Sequence, residues 1–400
     1  MPTRKTVFWF ISAAVLYLIA WNVGSGWLYV LVALLAGLPL ASIVLARLNI
    51  RRKGVSQKSV DAASTGDSIN VELTIENGSI FPSFFLQTEY SCGGSGTVLL
   101  LPHIKGGGNK VLTLQLGNLK RGVYPGGIIS VESSAPIGLA ISRCRFVTDN
   151  PLVVYPQLYG ISGDWGQGWR DSGYMISGAV PTRHAASDFL GVREYRPEDS
   201  PRSIHWRTTA RSNTLSVIEY AKQSAITPVF IVDTYSEGNA GAGPESSFET
   251  AVSMAASLVR REARHNRRFA IGSSLAVAAG HGLEHDPGPA MFWLAGIQAE
   301  SGQPLDLTGA DLPWPEVVPV LLLTSHVDYA NIHESDFIQA FPGTIIIMID
   351  GHGFNPEKGA AARFMDDEQL ERLADGIESL GLRFTLVSSP DMVSQCLAKL

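Results

Sequence analysis

The residues in this chain best suited to chemistry crowd into one stretch, Gly191 to Arg211, which reads GVREYRPEDSPRSIHWRTTAR. It holds five arginines, three acids and two aromatics, in a sequence of which only 17% is charged. Arginine forks suit carboxylates and phosphates, and their planes stack on aromatic rings. The local balance is 5 − 3 = +2, too small for a nucleic-acid footprint. Arg193 and Tyr195 share one face of an extended segment. Ser200 and Pro201 predict a helix start, with Ser at the cap and Pro at the first position. That helix would place Arg202 and Trp206 on one face and Arg207 and Arg211 on another, with Ala210 one turn beyond Trp206. Two uses are open. The expectation is an ion-pair and stacking knot between two domains, with Glu194, Glu198 and Asp199 as the acids. The alternative is a docking surface for an acidic partner or a phosphate.

A second candidate is Asp233, which closes the apolar run Val229–Val232. An acid at the carboxyl end of a parallel strand lies where open α/β sheets bind ligands. Ser236 and Glu237 would add oxygens suited to a hard cation such as Mg²⁺; a turn-forming Asp followed by a polar loop is the competing reading. His281-Gly282-Leu283-Glu284-His285 fits the H-x-x-E-H spacing of zinc peptidases, which needs both histidines on one helix face. Gly282 lies inside it and Asp286-Pro287-Gly288-Pro289 follows, so a surface loop is predicted. Gly66-Asp67-Ser68-Ile69 looks like a serine-esterase nucleophile block but leads into a strand, and reads as a turn. Lys105 to Lys110 is glycine-rich without P-loop spacing and reads as a hairpin turn. No catalytic residue is assigned. An enzyme would need His205, Asp233 and a serine to converge.

These groups must be positioned by a chain of 400 residues, enough for two or three domains. Its formal net charge of −6 argues against a general nucleic-acid binder. Cys92, Cys144 and Cys396 are far apart, which argues against a disulfide framework or thiolate zinc site. Val7–Val23 and Trp27–Ala46 are apolar runs near the length that spans a bilayer, broken at Asn22–Gly26. A cleaved signal peptide would account for one run at most. Arg4 and Lys5 precede the first; Arg47, Arg51, Arg52 and Lys53 follow the second. The positive-inside rule puts both ends in the cytoplasm, and Trp9, Trp21, Trp27 and Tyr29 suit the interfaces. Residues 1–53 are therefore a predicted two-helix anchor in the lipid bilayer. Residues 54–156 carry short alternating strands (Ile69–Ile75, Val111–Leu116, Ile128–Glu132, Leu152–Tyr155) and predict a β-sandwich-like domain. Residues 157–190 form a Gly/Ser-rich connector with Trp165, Trp169 and Tyr174. Residues 191–400 alternate strand and helix: strands at Val229–Asp233, Phe269–Ala279, Val317–Thr324, Thr344–Ile349 and Leu382–Val387, and helices at Ser247–Arg264, Asp367–Leu380 and Met392–Leu400. That order predicts a parallel sheet covered by helices.

At Gly191, Arg193, Tyr195, Asp199, Arg202, Ile204, Trp206, Ala210 and Arg211 the chain resembles, in register, the hallmark of the bacterial family called domain of unknown function 58. Arg121-Gly-Val-Tyr124, Ala135-Pro-Ile-Gly-Leu139 and Val153-Val-Tyr-Pro156 are similar to that family's stretches before the linker. Two departures stand out: Glu198 where glycine is usual, and His205 where aspartate is common. The resemblance implies a C-terminal α/β domain like the von Willebrand factor A fold, whose metal motif is D-x-S-x-S. Asp233 matches that motif, but Tyr235 and Glu237 occupy its serine positions. The resemblance further implies an interaction or scaffold protein of the bacterial inner membrane, its soluble domains cytosolic, acting with a MoxR-type AAA+ ATPase in assembly or envelope processes. The expectation is no enzyme, no nucleic-acid partner and no cofactor. A Mg²⁺-dependent binding module through Asp233 and Ser236 is the alternative, and an envelope-related hydrolase a further one.

Overall fold

A computed structural model of the chain describes residues 4–399 except 59–62, 118, 135–136, 162–174, 177–188, 197–203, 213, 221–224, 274–284, 308–316, 342 and 355–362. It divides into two compact units, Met1–Tyr155 and Pro156–Leu400.

In the first unit the apolar runs become α1 (Arg4–Val23) and α2 (Gly26–Ile50), two helices long and apolar enough to cross a membrane. Gly24 turns between them at φ +68°, a left-handed conformation that favours glycine. Most of their large side chains point outward, Phe8, Leu18, Trp27 and Leu34 among them. The buried positions are mainly small ones, Ala13 and Ala20 on α1 and Ser42 and Ala46 on α2, which let helices approach closely. Asn49 ties the end of α2 to the strands of the same unit. Its Nδ2 donates to the Phe84 carbonyl (2.7 Å) and Ser133 Oγ (2.6 Å), and its Oδ1 accepts from Phe84 N–H (3.0 Å). At the start of α1, Thr6 donates to the Leu139 carbonyl.

The sheet-rich region of this unit contains β1 (Lys53–Gln57), β2 (Ala63–Ser64), β3 (Ile69–Asn77), β4 (Ser83–Cys92), β5 (Ser95–Ile104), β6 (Asn109–Leu116), β7 (Gly122–Tyr124), β8 (Ile128–Ser133), β9 (Ser142–Val147) and β10 (Leu152–Tyr155). They form sheets ordered β1-β3-β6, β5-β4-β8-β9 and β2-β10-β7. The pairs are antiparallel except β2–β10, which is parallel. Alternation along β3 buries Ile69, Val71, Leu73 and Ile75, which share one core with Leu86 and Tyr90 of β4 and with Ile129 and Val131 of β8. Gly66-Asp67 is the expected turn: Asp67 N–H donates to the Ser64 carbonyl, and Asp67 Oδ2 accepts from Ser64 N–H. The Lys105–Asn109 turn is not a hairpin, because β5 and β6 belong to different sheets. It is clamped instead against the loop that follows β3: a Cβ at Gly106 would stand 1.9 Å from the Ile80 carbonyl oxygen.

In the second unit, β11 (Met175–Ile176), β14 (Ala225–Val232), β15 (Ala270–Gly272), β16 (Val317–Thr324), β17 (Ile345–Ile349) and β18 (Arg383–Val387) form one parallel sheet. Its order is β11-β14-β16-β17-β18, with β15 also beside β14. The apolar runs are continuous because both faces are covered. Phe230 and Val232 face one core and Val229 and Ile231 the other. The first core is closed by α4 (Ser247–Arg264), α5 (Pro287–Gly296) and α8 (Val393–Lys399); the second by α6 (Asp336–Ala340) and α7 (Asp367–Ser379). Ser246 caps α4 through the Glu249 N–H, and a capping box at Asp366 and Gln369 starts α7. The antiparallel pair β12 (Phe189–Glu194) and β13 (Ser216–Tyr220), joined through the short helix α3 (Trp206–Ser212), lies outside this sheet. Of the strand expected over Phe269–Ala279, Ala270–Gly272 forms β15, and residues 274–279 lie outside the described ones. The helix α5 comes directly after the H-x-x-E-H residues. Asp286 caps it by accepting from Gly288 N–H, and Pro287 takes the first turn, where its missing N–H costs nothing.

Candidate functional site

The arginine-rich segment folds around the start of β13. Gly191 pairs with Glu219 just after a register shift, a place where glycine relieves a bulge. Arg193 pairs with Val217, and its Nη1 donates to the Glu194 carbonyl (3.0 Å). Tyr195 N–H donates to the Leu215 carbonyl (2.8 Å). Ile204 makes an isolated antiparallel bridge to Val217 as well, and His205 N–H donates to the Ser216 carbonyl (2.8 Å). Val217, itself buried, is thus bracketed by Arg193 and Ile204. The helix start expected at Ser200 and Pro201 lies outside the described residues; beyond them Ile204 is in a bridge, and α3 runs from Trp206. His205 takes the pre-helical place, its carbonyl accepting from Thr208 and Thr209 N–H and its Nδ1 lying 2.7 Å from Thr208 Oγ1. Arg207 and Arg211 lie one turn apart on α3, as expected. Trp206 is 66% exposed, and Arg207, Ala210 and Arg211 are exposed. Asp199 and Arg202 lie outside the described residues, as do Glu198 and His281 to Glu284.

Asp233 and Ser236 stand elsewhere, after β14 at the carboxyl edge of the parallel sheet. Asp233 is buried; its Oδ1 accepts from Tyr235 N–H (2.9 Å) and its Oδ2 from Thr324 Oγ1 (3.4 Å). Burial pushes its carboxyl pKa up, opposed by hydrogen bonds from Tyr235, Tyr329 and Thr324. The neighbouring Tyr329 hydroxyl is raised too, by burial first and then by the Asp233 charge. Ser236 turns away: its hydroxyl donates to the Ser301 carbonyl (3.0 Å), which its N–H also meets (2.9 Å). Tyr235 stacks edge-on against buried His326 (4.9 Å) and donates to Glu237 (3.3 Å). Its phenol is pushed up to about 12, by burial first and then by Asp328 and Glu237. Among the described residues, no three His, Cys, Asp or Glu side chains gather as a metal-ligand set.

Thr324, Ser325 and His326 belong to this edge and were not singled out in the sequence. Ser325 Oγ accepts from Gly351 N–H (2.8 Å), and its carbonyl from Met365 N–H (2.8 Å). Their signal was available: they follow the apolar run Val317–Leu323 as Asp233 follows Val229–Val232. The arrangement is a closed web of hydrogen bonds that holds three strand ends in register. His205 is held in the β12–α3–β13 segment and Asp233 in this web, by different partners.

The family model described as "Protein of unknown function DUF58" matches residues 191–278, which include the arginine-rich segment and Asp233 but not Thr324–His326. The uncharacterized protein YeaD of Bacillus subtilis (strain 168) is 24% identical over 206 residues, 48% of each chain, so the match spans about half of that relative. Among solved structures, a putative late embryogenesis abundant (LEA) protein is 13% identical and covers 30% of this chain and 84% of its own, with a TM-score of 0.20. A CARDB domain from Pyrococcus furiosus is 13% identical and covers 24% and 93%, with a TM-score of 0.15. Scores that low carry no argument about fold. The likeness rests instead on residues 191–278, which match the DUF58 family model, and on the similarity to YeaD.

Proposed function

We propose that this protein is a membrane-anchored interaction or scaffold protein. Its β-sandwich-like and von Willebrand factor A-like domains face the cytoplasm, and its partner is a MoxR-type AAA+ ATPase. The observation that carries the reading is the surface of α1 and α2. A core helix of a soluble protein buries most of its side chains, whereas here large apolar residues point outward on both helices. Basic residues flank the helix ends distant from Gly24, which favours cytoplasmic termini. The docking face is α3, where an exposed Trp206 beside Arg207 and Arg211 has the composition of a binding hot spot. No reaction is assigned to it.

Two measurements test the proposal. Carbonate extraction of membranes, combined with protease treatment of intact spheroplasts, should leave the full chain in the pellet with its C-terminal unit protected. Loss of the first helix by cleavage, or digestion from outside, would overturn the anchor and its orientation. Purification from detergent with and without ATP should recover an AAA+ ATPase with the wild type and lose it with Trp206→Ala. Recovery of none in either nucleotide state would remove the partner.

A further inference from the structure

The first unit exposes aromatic residues where α2 ends. Phe81, Pro82, Phe84 and Phe85 join Leu45 and Leu48 of α2 around an apolar groove of about 510 Å³. Phe81 is 69% and Phe85 58% exposed, and Ile80 beside them is exposed as well.

This exposure is built in. A strand alternates its side chains between faces, so Phe84 and Phe85 should point opposite ways. Instead both point outward, because Phe85 takes φ +48°, a left-handed conformation that is strained for a bulky residue. Pairing with β5 skips this point: Phe84 meets His103 and Leu86 meets Leu101. The residue opposite Phe85 is Pro102, which has no N–H to give a ladder. The loop before it is anchored by buried Asn77, whose Nδ2 donates to the Phe81 carbonyl (2.9 Å) and the Lys105 carbonyl (3.1 Å). A strained backbone that holds apolar rings in water calls for an apolar occupant.

The position identifies that occupant. The charge-free run of α2 from Trp27 to Ala46 has about the length of the hydrocarbon core, so Leu45 lies at its inner boundary and Leu48 just beyond. Residues that line one groove with Leu45 and Leu48 lie at the same depth. Arg47, Arg51 and Arg52, all exposed, are placed for anionic headgroups. At the start of α1 the same pattern recurs: Thr6 holds the Leu139 carbonyl, and Ile137 nearby is 53% exposed.

We infer that the Ile80–Phe85 segment, with Ile137, is a lipid-docking face. It inserts into the inner leaflet, and phospholipid acyl chains fill the groove against α2. The inference rests on the membrane reading above and adds to it that the β unit itself sits in the interface, as an interfacial apolar face does.

The test uses the full chain in vesicles of phosphatidylcholine and phosphatidylglycerol. A benzophenone amino acid replaces, one at a time, Phe81, Phe85 and Leu34, the last in the middle of α2. Ultraviolet crosslinking and mass spectrometry then read phospholipid adducts. Adducts at all three positions are expected. Adducts at Leu34 alone would overturn lipid docking and leave the anchor standing. Adducts at none would overturn both readings. Crosslinks at Phe81 to a second protein chain, without lipid, would replace the bilayer by a protein partner.

Discussion

The carboxyl edge of the parallel sheet and the β12–α3–β13 segment share one unit but use their polar residues in opposite ways. At the sheet edge, Asp233, Thr324, Ser325 and His326 are buried and bonded to one another or to backbone. In the segment, the backbone is bonded through Tyr195, Ile204 and His205, while Trp206, Arg207 and Arg211 face outward. An acid in a position typical of ligands can thus serve the fold, while an aromatic on a short helix stays exposed. Sequence position left both uses open at each place: a knot or a docking surface in the segment, and a turn-forming Asp or a cation ligand at the edge. Burial is what separates the two uses.

That contrast can be broken at several points. Phe230 is fully buried in β14, an interior strand of the sheet, so Phe230→Ala should cost about 3–5 kcal/mol in the unfolding free energy, read by denaturant titration. A loss near zero would mean that the sheet does not frame the edge. Gly351 comes next: a Cβ there would stand 2.3 Å from the Phe364 ring, and Gly351→Ala should cost roughly 1–3 kcal/mol by overpacking. An unchanged melting temperature would show that the edge is slack.

Asp233→Asn probes charge at the same edge. The folded carboxyl titrates above its unfolded value, so protonation favours the fold. Its contribution is complete below the ordinary carboxylate range and is lost as pH rises through the raised pKa. The substituted amide has no such proton to lose, so the variant should melt higher than wild type at neutral pH and flatten the acidic limb of Tm against pH. A lower Tm at neutral pH would show that the ionised carboxylate is needed. The smallest effect belongs to Trp206→Ala, which should change stability by no more than about 0.5 kcal/mol while abolishing partner capture. A large loss of Tm would return Trp206 to a structural knot.

Much of the second unit was legible because its strands are continuous apolar runs. Val317–Thr324 appears where the pattern puts it, and α4 spans Ser247–Arg264 as its one-sided apolar face predicts. Other elements were not. β4 and β5 were missed because exposed Phe84, Phe85 and Leu100 break the alternation that signals a half-buried strand. α5 was hidden by Pro287 and Pro289, which look like helix breakers but fit a first turn capped by Asp286. The bridge from Ile204 to Val217 just before α3 was not legible either, because it depends on a pairing 13 positions away.

By itself, the sequence determined the features that depend on neighbours along the chain. These are two helices of spanning length, the period of strands and helices, and the motif that marks the family. Such features come from local periodicity and composition, which a linear pattern carries. Only the tertiary structure decided which polar residues are buried. Asp233 meets Thr324 across 91 positions, and Asn49 meets Ser133 across 84. A contact of that range depends on how whole elements pack, so no local pattern records it.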